Sequence, residues 1–237
     1  MPHVLAPFVE QLSKHGSLNA QDRAAIFALP FKVQTVPRET HVLREGDCES
    51  PLLVLVGGFA TRQKQTRDGA RQLVSLDIPG DLLNLPCLFL PCADHAVLAL
   101  RYAKIAIIPR QPARDLIAAN PAIMQAFFRS ALVDASIVRE ALLRQGRRDA
   151  RAGVAHFLCE HVARMEARGL ASGDVFDFPL TQEQLGDALG LTAIHVNRMY
   201  NRLSEDGILI HKARRFEIID SNALRAAGEF RDHYLFL

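Results

Sequence analysis

The sequence predicts an α+β protein: an antiparallel β domain first, a long helix behind it, and a compact carboxy-terminal unit of short helices with a hairpin. Three observations carry that reading. Apolar residues alternate in short runs between Phe31 and Pro109, the spacing turns helical after Pro109, and two short helical patterns meet across a glycine between Leu180 and Ile210. With 237 residues, of which 49% are hydrophobic, the chain is long enough for one large or two smaller domains that need no disulfide staples. A net charge of +2, from 28 Lys+Arg against 26 Asp+Glu, argues against a disordered or polybasic protein and confines any basic surface to a local patch.

The first element is a short helix over Leu18 to Leu29. Strands follow at Lys32 to Val36, His41 to Leu43, Leu52 to Val56, Phe59 to Thr66, Arg71 to Ile78, Ala96 to Leu100 and Ala103 to Pro109. The punctuation is turn chemistry: Arg44-Glu45-Gly46-Asp47, Gly57-Gly58, Arg67-Asp68-Gly69 and Pro79-Gly80-Asp81. Many short strands with no long helical pattern between them predict an antiparallel barrel or sandwich. Asn120 as cap and Pro121 at the first position open a helix that runs to Gln145, nearly ~40 Å at 1.5 Å per residue. Its apolar residues occupy more than one face without a sustained heptad. One face is therefore assigned to the barrel and another to a second copy of the chain, with Ile123, Phe127, Ala131, Val138 and Leu142 as the dimerisation residues. The run Gly146-Arg147-Arg148-Asp149 marks a hinge, and a further helix ends at Arg168 before Gly169. The predicted domains are residues 1–120, 121–146 and 147–237.

The longest apolar stretch, Leu52 to Ala60, is broken by Gly57-Gly58 and falls short of the ~18 residues a membrane-spanning helix needs. Met1 to His15 lacks the pattern of a signal peptide, so a cytoplasmic location is expected. Cys48, Cys87, Cys92 and Cys159 are too scattered for a secreted disulfide framework, and a reducing compartment would leave them as packed thiols or sensors. There is no Walker loop, GxSxG or HExxH, so no enzyme or metal site is expected.

The most specific passage is LTQEQLGDALGLTAIHVNRMYNRLSEDGILI, from Leu180 to Ile210. Thr181 with Gln184 forms a capping-box pattern, Leu185, Ala188 and Leu189 share a face, and Gly190 ends the first helix. Thr192 caps a second helix whose Val196, Met199 and Leu203 point inward, and Gly186 is small where the helices would cross. Two helices on so short a turn form a helix-turn-helix, whose second helix enters the DNA major groove. Ala193, Ile194, His195, Asn197 and Arg198 then face outward; arginine suits guanine and asparagine suits adenine. Ile208 to His211 and Phe216 to Ile219 alternate around Lys212-Ala213-Arg214-Arg215, a two-stranded wing with a basic tip suited to the phosphate backbone. Arg202, on the second helix, adds to that patch, and Thr181 and Thr192, at the two helix starts, are counted with the DNA-binding residues. The partner expected is double-stranded DNA carrying an inverted repeat, read by a homodimer.

With these residues in place, the chain resembles the Crp/Fnr family of bacterial transcription regulators over nearly its whole length. The resemblance rests on Arg44-Glu45-Gly46-Asp47, Pro79-Gly80-Asp81 and the Leu180 to Ile210 block. It implies an amino-terminal β-roll (jelly-roll-like) sensor, a long dimerisation helix and a winged helix-turn-helix, with RNA polymerase as a further partner. Arg198 falls where the family places its groove-entering arginine, while Ala193 and Ile194 stand where the best-known members carry Arg and Glu. Members that bind a cyclic nucleotide carry Gly-Glu and Arg-Ser or Arg-Thr pairs, replaced here by Asn84-Leu85 and Asp94-His95. Asp94 repels a phosphate and Leu85 cannot accept a ribose hydroxyl, so the sensor is unsuited to cyclic nucleotide. No cofactor is expected, and Cys87 and Cys92 in the effector loop are the candidates for redox or metal sensing. The alternative function is a β-roll module that controls a protein partner without binding DNA.

Overall fold

A computed structural model describes residues 3–171 and 173–237. The chain divides into two compact units, one taking in the chain up to Lys64 together with Ser75–Asp134, the other Gln65–Val74 together with Ala135–Leu237.

The first unit opens with α1 (Ala6–His15) and α2 (Ala20–Phe27). Asn19 caps α2 in a capping box with Asp22. The strands are β1 (Lys32–Val36), β2 (His41–Leu43), β3 (Leu52–Gln65), the short β4 (Arg71–Leu73) and β5 (Ala96–Ile108); β4 belongs by packing to the second unit. β5 is the central strand, antiparallel to β1, β2 and β3. β3 and β5 are buried on both faces. Leu53, Leu55, Ala60, Val97, Ala99, Ala103 and Ile105 meet inside the roll, while Leu52, Val54, Ala106 and Ile108 alternate outward onto the helices. That period of two, apolar on both faces, is why these strands read as nearly continuous hydrophobic runs.

Three sequence expectations are corrected here. Gly57-Gly58 is not a turn. β3 runs through it as one strand with register shifts, and Gly58, at φ 75°, lies so close to β5 that a Cβ would sit 1.9 Å from the Tyr102 carbonyl oxygen. The break expected between Leu100 and Ala103 is likewise absent, because β5 is continuous. The strand expected over Arg71 to Ile78 stops at Leu73, leaving one isolated bridge between Ala60 and Asp77.

α3 (Arg110–Ala119) leads into α4 (Pro121–Arg147). Asn120 does not cap α4 with its side chain: Nδ2 donates back to the Leu116 carbonyl at 2.8 Å, closing α3, and the Asn120 carbonyl accepts from Met124 N–H. Ile123 and Phe127 are removed from the dimerisation set. Both are buried among Phe8, Val9, Leu12, Ala113 and Ile117, and the Phe127 ring meets Phe8 edge-on at 5.9 Å. Exposed along α4 are Met124, Phe128, Leu132, Val138, Leu142 and Leu143. The reading of α4 as lacking a sustained heptad is corrected: Met124, Phe128, Ala131, Ala135, Val138 and Leu142 follow one another at intervals of four, three, four, three and four residues, the repeat of a coiled-coil seam. Arg62 of β3 reaches α4, its guanidinium forming a bidentate pair with Asp134 at 2.6 and 2.7 Å.

In the second unit, Asp149 caps α5 (Ala150–Ala167) by accepting from Ala152 N–H at 2.8 Å. Gly169, at φ 64°, ends α5 as expected. The remaining elements are β6 (Val175–Asp177), α6 (Gln182–Leu189), α7 (Ala193–Glu205), β7 (Leu209–Lys212), β8 (Arg215–Ile218) and α8 (Ser221–Ala227). Strands order as β6-β8-β7. The buried face of α5 carries Arg144 of α4 against Glu160 at 3.2 Å, Tyr234 donating to Glu160 at 2.8 Å, and His156 stacked on Tyr234. Among the described residues, no single helix is long and apolar enough to cross a membrane.

Candidate nucleic-acid interface

The interface begins with two caps and a glycine. Thr181 Oγ1 accepts from Gln184 N–H at 3.1 Å and Gln184 Oε1 accepts from Thr181 N–H at 2.9 Å, so the capping box is reciprocal. Gly190 ends α6 in the left-handed region at φ 68°. The chain then turns back so tightly that a Cβ on Gly186 would lie 2.3 Å from the Leu191 carbonyl oxygen, which accordingly admits only glycine. Thr192 Oγ1 accepts from His195 N–H at 3.2 Å and starts α7.

α7 is divided by burial. Val196, Met199, Tyr200 and Leu203 are buried, whereas Ile194 is 83% exposed and Asn197, Arg198 and Arg202 lie on the solvent side with Thr192. Ala193 and His195 are half-buried beside them. β7 and β8 pair with Lys212 opposite Arg215, so the wing turns on Ala213-Arg214 alone. Ala213 takes φ 55°, the left-handed value a two-residue hairpin demands of its first turn residue. Among the described residues, Arg198, Arg202, Lys212, Arg214 and Arg215 are held in no ion pair. The structure thus gathers the helix-turn-helix and wing residues named from the sequence into one unit. Thr181 and Thr192 act there as caps.

Sequence reasoning missed three features. Gln182 Nε2 donates to Asn197 Oδ1 at 2.9 Å and so fixes which way that amide presents its remaining groups. β6 adds a third strand to the wing, and Phe178 N–H donates to the Arg214 carbonyl at 2.8 Å, anchoring the tip. Three residues of strand are too short for a periodicity signal. Arg71 also pairs with Asp187 of α6 at 2.6 Å, a contact spanning 116 residues that no local pattern announces.

The residues expected around an effector are placed as follows. Asn84 is fully buried, accepting from Leu53 N–H and donating to the Pro51 carbonyl, both at 2.8 Å. Leu85 opens a 3₁₀ turn through Leu88, in which Cys87 is buried; burial raises its thiol pKa. His95 is buried between Asp94 Oδ1 at 2.7 Å and the Leu83 carbonyl at 2.9 Å. Asp94 is held below the usual carboxylate range by that imidazole, against the opposing effect of its partial burial. Cys92 is joined to Cys48. Among the described residues no group of three His, Cys, Asp or Glu side chains is arranged to hold a metal.

Residues 154–227 match the model of the Crp-like helix-turn-helix domain. Over 196 residues, 81% of this chain and 78% of the relative, the sequence is 30% identical to the transcriptional activator protein FnrL of Cereibacter sphaeroides. This chain belongs to the Crp/Fnr family. The nitrogen fixation regulation protein FixK of Bradyrhizobium diazoefficiens is 28% identical over 197 residues, 81% of this chain and 80% of that one. FixK2 from Bradyrhizobium japonicum has the same fold, with a TM-score of 0.76 and 22% identity over 86% of this chain and all of that structure. As a Crp/Fnr regulator the protein is a DNA-binding transcription factor and not an enzyme, and a module acting on a protein partner without DNA is set aside.

Proposed function

We propose that the regulator reads an inverted-repeat operator as a homodimer, with residues 1–120 as sensor, 121–146 as dimerisation helix and 147–237 as DNA-binding domain. The single observation that carries this is the exposed start of α7 beside a wing whose cations, among the described residues, are held in no ion pair. Arg198 and Asn197 contact base edges, with Ala193, Ile194 and His195 beside them, and Arg202, Lys212, Arg214 and Arg215 contact phosphate. Two copies related by a two-fold axis present their α7 helices about 34 Å apart, one turn of duplex. RNA polymerase is the further partner of such a complex, supported by family membership.

Binding-site selection with two variants tests the assignment. Arg198→Ala removes a bidentate contact worth roughly 1–3 kcal/mol per half-site and relaxes preference at one symmetric base pair. Arg214→Ala weakens binding to all sequences alike and lowers the salt slope by about one. The roles are wrong if the first variant keeps the parent's preferences or the second alters them at a single position.

The sensor is not a cyclic-nucleotide site. Asn84 is consumed by the backbone of Pro51 and Leu53, and Asp94 by His95. Cyclic AMP and cyclic GMP therefore leave operator affinity unchanged, and calorimetry showing micromolar binding of either would overturn this.

A further inference from the structure

The pair Cys48–Cys92 joins two loops of the first unit. Cys48 follows the Arg44–Asp47 turn, and Cys92 lies between the 3₁₀ turn at Leu85–Leu88 and β5. The two residues face each other as an isolated antiparallel bridge, with Cα atoms 3.9 Å apart. Three backbone bonds flank the crosslink: Gly46 N–H to Ala93 O and Ala93 N–H to Asp47 O at 2.8 Å, and Glu49 N–H to Pro91 O at 3.3 Å. The loop so held is anchored in the core at its two ends by Leu88 and Ala93, while Phe89 and Leu90 between them are exposed. Beside Cys48, Glu49 sits in the left-handed region at φ 54°, a conformation that costs a non-glycine residue energy and persists where its surroundings enforce it.

The two sulfurs are not equally accessible. Cys48 is exposed and lines a cleft of about 410 Å³ with Val36, Thr40, His41, Asp47, Ser50 and Leu53, whereas Cys92 is half-buried and does not line it. That volume lies within the about 300–1,000 Å³ of small-ligand sites, and the lining offers polar groups over an apolar floor. The other two cysteines are shielded. Cys87 and Cys159 are buried, and burial raises both thiols, that of Cys159 to about 12, so neither supplies a thiolate.

We propose that Cys48–Cys92 is a thiol–disulfide exchange site, entered by a small thiol or disulfide at the Cys48 sulfur, whose state sets how firmly the Leu88–Asp94 loop is held and thereby the affinity for DNA. This names the regulation of the DNA-binding activity and rests on that reading. A transcription regulator works beside DNA, in a compartment whose thiols are kept reduced, where disulfides are characteristically transient and redox-responsive. In the exchange, an external thiolate attacks Cys48 Sγ, forming a mixed disulfide and releasing the Cys92 thiolate, which takes a proton from water. A second external thiolate then attacks the external sulfur, releases Cys48 as a thiolate that is protonated in turn, and leaves as a small disulfide. Two electrons pass to the protein pair, and a small disulfide takes them back by the reverse steps. Reduction removes the one covalent link between the loops, leaving the three backbone bonds and the Lys64 bridge from Glu45 to the Asp94 carbonyl, and frees the Glu49 turn to relax.

The test equilibrates the full-length protein with glutathione at reduced and oxidised extremes. Titration after denaturation should count four thiols at the reduced end and two at the oxidised end. Oxidised glutathione should modify Cys48 in Cys92→Ser, read by mass spectrometry, and should modify Cys92 in Cys48→Ser far more slowly. Operator affinity by fluorescence anisotropy should differ at least about fivefold between the two ends, and the double variant Cys48→Ser/Cys92→Ser should bind DNA without that response. Four thiols at both ends, faster modification of Cys92 than of Cys48, or equal affinities at the two ends would overturn the proposal. Absence of DNA binding at both ends and in the double variant would instead overturn the DNA reading, with the thiol count still judging the exchange site.

Discussion

Glutamate at Phe128, Val138 and Leu142 is expected to convert the protein into a folded monomer with severely weakened operator binding. These side chains are 63%, 47% and 70% exposed in the single chain and lie on one seam of α4, so charge there costs the chain nothing. In a dimer, the same positions bury apolar surface at roughly 25 cal/mol per Å², and six carboxylates facing one another across a two-fold axis cannot be accommodated. A monomer loses the second half-site and with it the effective concentration that a tethered second contact supplies, on the order of 10²- to 10⁴-fold in affinity. Sedimentation velocity and anisotropy on a full operator and on a half-site read both effects. A dimer that survives the triple substitution places the interface elsewhere. Phe127→Glu provides the contrast. Its ring is buried against Phe8, so that variant should lose the fold of the first unit before it reports on association.

The second large effect is acid lability of the second unit. Burial, reinforced by Arg144 and Arg148, lowers His156 from 6.5 to about 3, and burial together with Arg164 lowers His161 from 6.5 to about 3. Both are therefore neutral in the fold, while the unfolded chain takes up a proton on each near pH 6.5. A depressed folded-state pKa makes its stabilisation complete above the unfolded value and lost as pH falls toward the folded one. Each histidine then removes on the order of 1 kcal/mol per pH unit crossed below about 6.5, with Glu140 Oε1 at 3.2 Å from His156 Nε2 easing the cost at that site. Near-ultraviolet circular dichroism is a suitable probe, since Tyr200 and Tyr234 are buried in this unit and Tyr102, in the other, is exposed. His161→Phe, placed among Phe176 and Phe178, should move the acid midpoint downward; an unchanged midpoint would remove His161 from the account.

Local chemistry made much of this molecule legible from its sequence. Lys32 to Val36 and His41 to Leu43 are strands to the residue, and Thr181, Gln184, Gly190 and Thr192 each perform the capping or turning role their type suggests. What escaped was decided by partners distant in the chain. Gly57-Gly58 reads as a turn until Tyr102 of the neighbouring strand is seen to require the missing Cβ. Phe127 and Phe128 are adjacent and chemically alike, and only the rotation of α4 against α1 and α3 decides which is core and which is surface. Cys87 is nearer to Cys92 in sequence, yet a bridge across 44 residues sets Cys48 opposite it. In the interface, outward and inward positions of α7 followed from helical period, whereas the Gln182 bond to Asn197 depends on how two helices cross.

The division of α7 has an evolutionary corollary. Val196, Met199, Tyr200 and Leu203 hold the helix to its domain, while Ile194, Asn197 and Arg198 project from it. On the proposed reading, positions that choose a base are nearly uncoupled from positions that keep the protein folded. Duplicated copies of such a gene can exchange one promoter set for another through one or two surface substitutions, each close to neutral for stability. On that reading Ala193 and Ile194, at the start of α7, are the natural places to begin when redirecting this regulator to a chosen promoter.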